Sequence, residues 1–222
     1  ERRHGEPRVR GRVRARARVE GGDRDGGLVW VDAATRRTTK VPFDAQALSS
    51  VRLSPDGRQF AYHRIQAEGT NVWTRALDGK PPRQVTFDAE AVTYPAWSPD
   101  GRWLAVEIKR GDQTHIGVVS HEGGAVEMLV EERGQNWPHS WAPDGDRIAF
   151  AGERGGVWNI WAVSRRTRTS RRLTPFTSAS GYVRYPTWSP RGGRIVFERS
   201  QRTGSVWSVS GPLPVFRRIR TS

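Results

Sequence analysis

Short apolar runs recur along this chain at a fixed beat. Phe60-Ala-Tyr62, Leu104-Ala-Val106, Ile148-Ala-Phe150 and Ile195-Val-Phe197 are each followed by a polar loop and a second apolar run at Val72, Ile116, Ile160 and Val206-Trp207. A closing run follows in Arg83-Gln-Val-Thr86, Arg171-Arg-Leu-Thr174 and Arg217-Arg-Ile-Arg-Thr221. Runs of this length, bounded by Gly, Pro, Asp and Ser, read as β-strands.

Each first run begins five residues after a proline in a repeated turn: Leu53-Ser-Pro-Asp-Gly57, Trp97-Ser-Pro-Asp-Gly101, Trp141-Ala-Pro-Asp-Gly145 and Trp188-Ser-Pro-Arg-Gly192. Proline presets φ at the first central position, aspartate caps its own backbone, and glycine takes the positive φ that returns the chain into an antiparallel strand. Asp56, Asp100 and Asp144 are therefore read as backbone caps, and Trp97, Trp141 and Trp188 as packing residues between blades. Pro55, Pro99, Pro143 and Pro190 lie 44, 44 and 47 residues apart, the period of a four-stranded propeller blade.

The unit resembles the WD-like propeller repeat of the TolB type, also found in the propellers of prolyl-oligopeptidase-type enzymes and of some bacterial Ser/Thr kinases. The resemblance implies an all-β fold, a β-propeller of four-stranded antiparallel blades. About five are expected in one domain spanning 1–222, with blades near 6–43, 44–87, 88–130, 131–174 and 175–222. The first is degenerate: Arg10 to Val19 is its second strand, and Leu28-Val-Trp-Val31 with Thr39-Lys-Val-Pro42 are its last two. Its innermost strand has no such turn, and Glu6 to Val9 is one candidate for it. Such repeats close into rings because an open blade leaves unpaired edges. A fragment of a larger ring and a complete five-bladed ring both stay open, and an open ring brings self-association with it.

Charge changes the picture less than its size suggests. The chain carries 37 Lys plus Arg against 23 Asp plus Glu, a net +14, and only Lys40, Lys80 and Lys109 are lysines. Eight arginines fall in the first 18 residues, where a poorly ordered start or an edge strand is the favoured reading over a nucleic-acid arm. Elsewhere they are spread over every repeat, poor evidence for one basic footprint. Nucleic acid is not an expected partner, and no apolar run is long enough to cross a bilayer.

Catalytic motifs are missing. The sequence has no Gly-x-Ser-x-Gly elbow, His-Glu-x-x-His pair, P-loop or dinucleotide fingerprint, and no cysteine. His4, His63, His115, His121 and His139 share no repeat position, and Asp88 with Glu90 lacks the alternating oxygens of a calcium loop. The chain is read as a non-enzyme with no cofactor and no metal.

In a propeller the outer-to-inner-strand loops and the second-to-third-strand loops open on one face. Departures from a strong repeat are better binding candidates than its regular positions, because the fold does not require them. Trp137 and His139 in the loop Glu131 to His139, with Tyr182 and Arg184 in the loop Pro175 to Tyr185, are the expected interaction residues. Truncating Trp137 is expected to leave folding unchanged. Tyr94 and Tyr185, each before a proline, are read as structural. The resemblance implies capture of a protein or peptide partner in an extracytoplasmic compartment, with a peptidase's gating propeller or a kinase's sensor propeller as alternatives.

Overall fold

The computed structural model describes residues 28–40, 48–67, 69–88, 91–201, 206–210 and 215–219. The fold is all-β, and its strands come in the repeating order expected of propeller blades. A short hairpin, β1 (Val29–Val31) and β2 (Thr38–Lys40), comes first and is antiparallel. It matches the last two strands foreseen for the degenerate blade; Glu6 to Val9 and Arg10 to Val19 lie outside the described residues.

Four-stranded groups follow. The first is β3 (Leu48–Leu53), β4 (Gln59–Gln66), β5 (Gly69–Ala76) and β6 (Arg83–Gln84). The second is β7 (Ala91–Trp97), β8 (Trp103–Arg110), β9 (Gln113–Ser120) and β10 (Glu127–Val130). The third is β11 (Asn136–Trp141), β12 (Arg147–Arg154), β13 (Val157–Ser164) and β14 (Ser170–Arg172). The last holds β15 (Gly181–Trp188), β16 (Ile195–Gln201), β17 (Val206–Ser210) and β18 (Val215–Ile219). Strands pair with their sequence neighbours inside the first three groups, the last consists of two separate hairpins, β15–β16 and β17–β18, and one parallel bridge, Thr70 with Ala91, links β5 to β7.

Two compact units are distinguished, Glu1–Ile108 with Val118–Glu127, and Lys109–Gly117 with Met128–Ser222. The recurrent triplets form the interior of each. Phe60, Ala61, Tyr62, Leu104, Ala105 and Val106 are buried in the first unit, and Ile148, Ala149 and Phe150 in the second. Burial pushes the Tyr62 phenol up to about 12, because a phenolate has no water there to solvate it.

The repeated turn behaves as its residues dictate. Gly57 donates to the Ser54 carbonyl at 2.9 Å, as do Gly101 to Ser98 and Gly192 to Ser189, while Gly145 reaches Ala142 at 3.0 Å. These glycines sit at φ between 72° and 75°. Asp56 Oδ1 accepts from the Ser54 hydroxyl at 2.6 Å and from the Arg58 N–H at 3.0 Å, bonds that hold its carboxyl below the usual range. Burial works against Asp100 and Asp144, but the Ser98 hydroxyl and the Arg102 N–H on Asp100, and the Asp146 and Arg147 N–H groups on Asp144, win on balance. The caps are backbone caps. Arg191 stands where the last turn loses its aspartate, and Ser189 holds that turn by accepting from the Arg194 N–H through Oγ at 3.1 Å.

Packing of the turn tryptophans is less uniform than the repeat. Trp141 is 6% exposed. Trp97 is half-buried and donates through Nε1 to the Arg52 carbonyl of the preceding group at 2.9 Å. Trp188 is half-buried under the Arg147 guanidinium, 5.0 Å from the ring centre.

Candidate interaction surface

The residues singled out in loops belong to strands. Trp137 and His139 are in β11 and Tyr182 and Arg184 in β15, both first strands of their groups. β3, β11 and β15 each contain a β-bulge, which makes the start of the strand resemble a loop in sequence: register slips between Ser49 and Arg52, between Pro138 and Ser140, and between Arg184 and Thr187. A bulge adds an unpaired residue and re-aims the side chains around it.

At the bulge, Ser50, Tyr94 and Tyr185 occupy one repeat position, five residues before the turn proline, and all three are left-handed, with φ of 55°, 50° and 56°. Pro138 takes that place in the third group, where a fixed negative φ forbids the same solution. A left-handed non-glycine residue costs about 1–2 kcal/mol. Tyrosine is a poor steric choice there, yet two copies have it, with 47% and 55% of their surface exposed. The left-handed residue is a regular feature of these strands, shared by Ser50, and in two copies it carries a half-exposed aromatic ring.

Around Tyr185 the second unit assembles a cluster. Arg184 has its guanidinium carbon 5.0 Å from the centres of both the Tyr182 and the Tyr185 rings. The same guanidinium grips Glu198 of β16 with two bonds, Nε to Oε2 at 3.1 Å and Nη2 to Oε1 at 2.9 Å. This pairing holds the Glu198 carboxyl below its usual range and raises Arg184 further. A fork held at both nitrogens between two rings is fixed in orientation, and a fixed planar cation flanked by aromatics loses little entropy on contact with a partner.

Trp137 has a packing role that the sequence reading did not give it. It is half-buried, its ring centre lies 4.2 Å from that of Trp158, and both pack against Ala151, Ile160 and Val183. Val183 alternates with Tyr182 and Arg184 along β15, so the strand buries one face on the Trp137 side and presents the other. The structure thus brings Tyr182 and Arg184 together and places Trp137 beneath them; the His139 side chain lies outside the described residues.

Sequence reasoning missed the clamp that anchors the neighbouring loop. Asn159 is 3% exposed; its Oδ1 accepts from the Phe176 N–H at 3.0 Å and the Thr174 hydroxyl at 2.8 Å, and its Nδ2 donates to the Phe176 carbonyl at 3.1 Å. The Thr174 oxygen in turn accepts from the Ile160 N–H at 2.9 Å. Asn71, Thr86, Asp88 and Val72 repeat the same four bonds in the first unit. The signal was present, since each pair is separated by 15 residues. In the second unit the clamp sets the position of Phe176, over which Arg199 stacks at 4.1 Å. Trp158, Phe176, Tyr182, Val183 and Arg199 then line a shallow depression beside the cluster.

Comparison with known proteins settles the lineage. The signature of the TolB beta propeller domain matches residues 19–210. The chain belongs to this family. A solved structure assigned as TolB in Agrobacterium tumefaciens superposes with a TM-score of 0.66 at 25% identity, covering 86% of this chain and 68% of that one. TolB from Acinetobacter baumannii gives 0.66 at 18% identity, over 90% of this chain and 47% of its own. A prolyl endopeptidase shares the fold at 0.61 and 17% identity, over 79% of this chain and 28% of that one. The chain therefore spans about two thirds of the first TolB structure and under half of the second. No curated protein sequence matches it. Among the described residues of this TolB-type propeller no group of three His, Asp or Glu side chains converges to hold a metal, and no helix is long and apolar enough to cross a membrane.

Proposed function

We propose that this TolB-type propeller is a non-catalytic scaffold that captures a protein or peptide partner, with Tyr182, Arg184 and Tyr185 as its anchor. The observation that carries the reading is the left-handed, exposed Tyr185 beside an arginine clamped by Glu198. Tyrosine and arginine are enriched in interface hot spots: tyrosine brings large contact area at low entropic cost, and arginine a fork of directional bonds, here already oriented by Glu198. Trp137 supports the strand from below. His139 is retained in this surface by its place in β11, two residues from Trp137.

Selection of a random peptide library on the immobilised full chain tests this. Enriched peptides are expected to lose at least tenfold in affinity on Arg184→Ala or Tyr182→Ala. Failure to enrich any peptide, or equal binding to the variants, would overturn it.

A further inference from the structure

Arginines that are spread evenly along the sequence are segregated by the fold of the second unit. The β13–β14 hairpin and its outer strand carry Arg165, Arg166, Arg168, Arg171 and Arg172 within eight residues. Asp146 holds this hairpin against the β11–β12 turn, accepting from the Arg165 N–H through its carbonyl and from the Arg166 N–H through Oδ1, each at 2.8 Å. The β15–β16 turn lies alongside: a Cβ at Gly192 would stand 3.6 Å from Pro143. This turn adds Arg191, in the place of the usual aspartate, and Arg194. Arg166, Arg171, Arg172, Arg191 and Arg194 are all exposed, and none is paired with a carboxylate among the described residues.

The carboxylates at this end are already used. Asp144 is held by Arg147 at 2.7 Å, and the Asp146 carboxylate accepts from the Ser164 hydroxyl at 2.7 Å and from the Arg166 N–H at 2.8 Å. Toward the opposite strand ends of the second unit, Asp112 in the β8–β9 turn, Glu131, Glu132, Glu153 and Glu198 are nearly matched by Lys109, Arg110, Arg133, Arg154, Arg184 and Arg199. An arginine-rich composition would raise both ends alike. The observed asymmetry is a property of how the strands are arranged.

From this we infer that the turn end of the second unit docks peripherally on an anionic phospholipid surface. Arg166, Arg191 and Arg194 sit on neighbouring hairpin turns and Arg171 and Arg172 on the short outer strand β14, so the unpaired charge is gathered on exposed turns and an outer strand. Such an array suits a charged plane, where each arginine near the surface adds attraction that decays within a Debye length. The site lies apart from Tyr182 and Arg184, so the two can be occupied together.

The test is co-sedimentation of the full chain with vesicles of phosphatidylcholine alone or containing phosphatidylglycerol. Binding is expected only with the anionic lipid, and it should weaken as salt rises. The set Arg166→Glu, Arg171→Glu, Arg191→Glu and Arg194→Glu should lower partitioning on the order of a hundredfold or more, at about fivefold per arginine. Arg→Lys at those positions should retain it. A control carrying Lys109→Glu, Arg110→Glu and Arg133→Glu at the other end should bind within about threefold of the parent. If the glutamate set fails to fold, the same four positions as Gln serve, with an intermediate loss expected. Equal losses in set and control would overturn the inference in favour of bulk charge. Absence of vesicle binding, or tighter binding to a duplex oligonucleotide at equal salt, would overturn it as well.

Discussion

Asn159→Ala tests whether the side-chain clamp or the strand ladder fixes the loop beneath the interaction surface. The substitution removes three bonds from a residue that is 3% exposed, two to the Phe176 backbone and one to the Thr174 hydroxyl. A typical hydrogen bond contributes about 1 kcal/mol net, and a buried partner left without a replacement costs about 1–3. The Phe176 backbone is half-buried, so water recovers part of the loss, and the expected cost is about 2–4 kcal/mol. In urea, with a slope near 3 kcal/mol/M for a chain of this size, the midpoint should fall by about 1 M. Thr174→Val should cost about 1–2 kcal/mol, and the double variant should cost less than the sum, since both members belong to one network. A loss below about 0.5 kcal/mol for Asn159→Ala would refute the clamp, as would full additivity with Thr174→Val.

Other expectations rest on single residues. Trp141→Ala, which empties a 6% exposed site, should destabilise by about 3–5 kcal/mol in denaturant unfolding. Trp137→Ala should cost roughly half as much because its ring is half-buried against Trp158; an unchanged midpoint would return it to a purely surface role. His63 is buried, its Nδ1 accepts from the Tyr94 N–H at 3.4 Å, and burial lowers its affinity for a proton. The unfolded chain protonates this ring near pH 6.5 and the native state only below that, so the unfolded state binds more protons and stability falls as pH drops through 6.5. Thermal melts between pH 7.5 and 5.5 should show that fall, and His63→Phe should flatten it.

Much of the fold was legible because its controlling residues act locally. Pro55 and Gly57, and their three copies, impose dihedral angles wherever they stand, so the period of the blades could be read without tertiary information. The first strands were harder to read. A bulge and a proline disguised β11 and β15 as loops, with a left-handed tyrosine besides in β15, and the alternation that buries Val183 while presenting Tyr182 and Arg184 shows only once the strand is placed. Asn71 and Asn159 attracted no notice because their partners lie 15 and 17 positions away. The arginine face was illegible for a related reason: turns separated in sequence meet only through Asp146 and the Pro143–Gly192 approach. Tyr182 and Arg184 could be picked as departures from the repeat, but Glu198, which orients the guanidinium, stood in a regular strand and attracted no notice.

The most direct test of partner capture uses Tyr185→Gly. Glycine adopts the left-handed backbone without penalty, so the melting temperature should stay level or rise while the exposed ring is lost. Titration calorimetry with a peptide selected on the parent chain should then show at least a tenfold weaker Kd at unchanged stability. Unchanged affinity would contradict the assignment of this surface, and a fall in stability would make Tyr185 a packing residue instead.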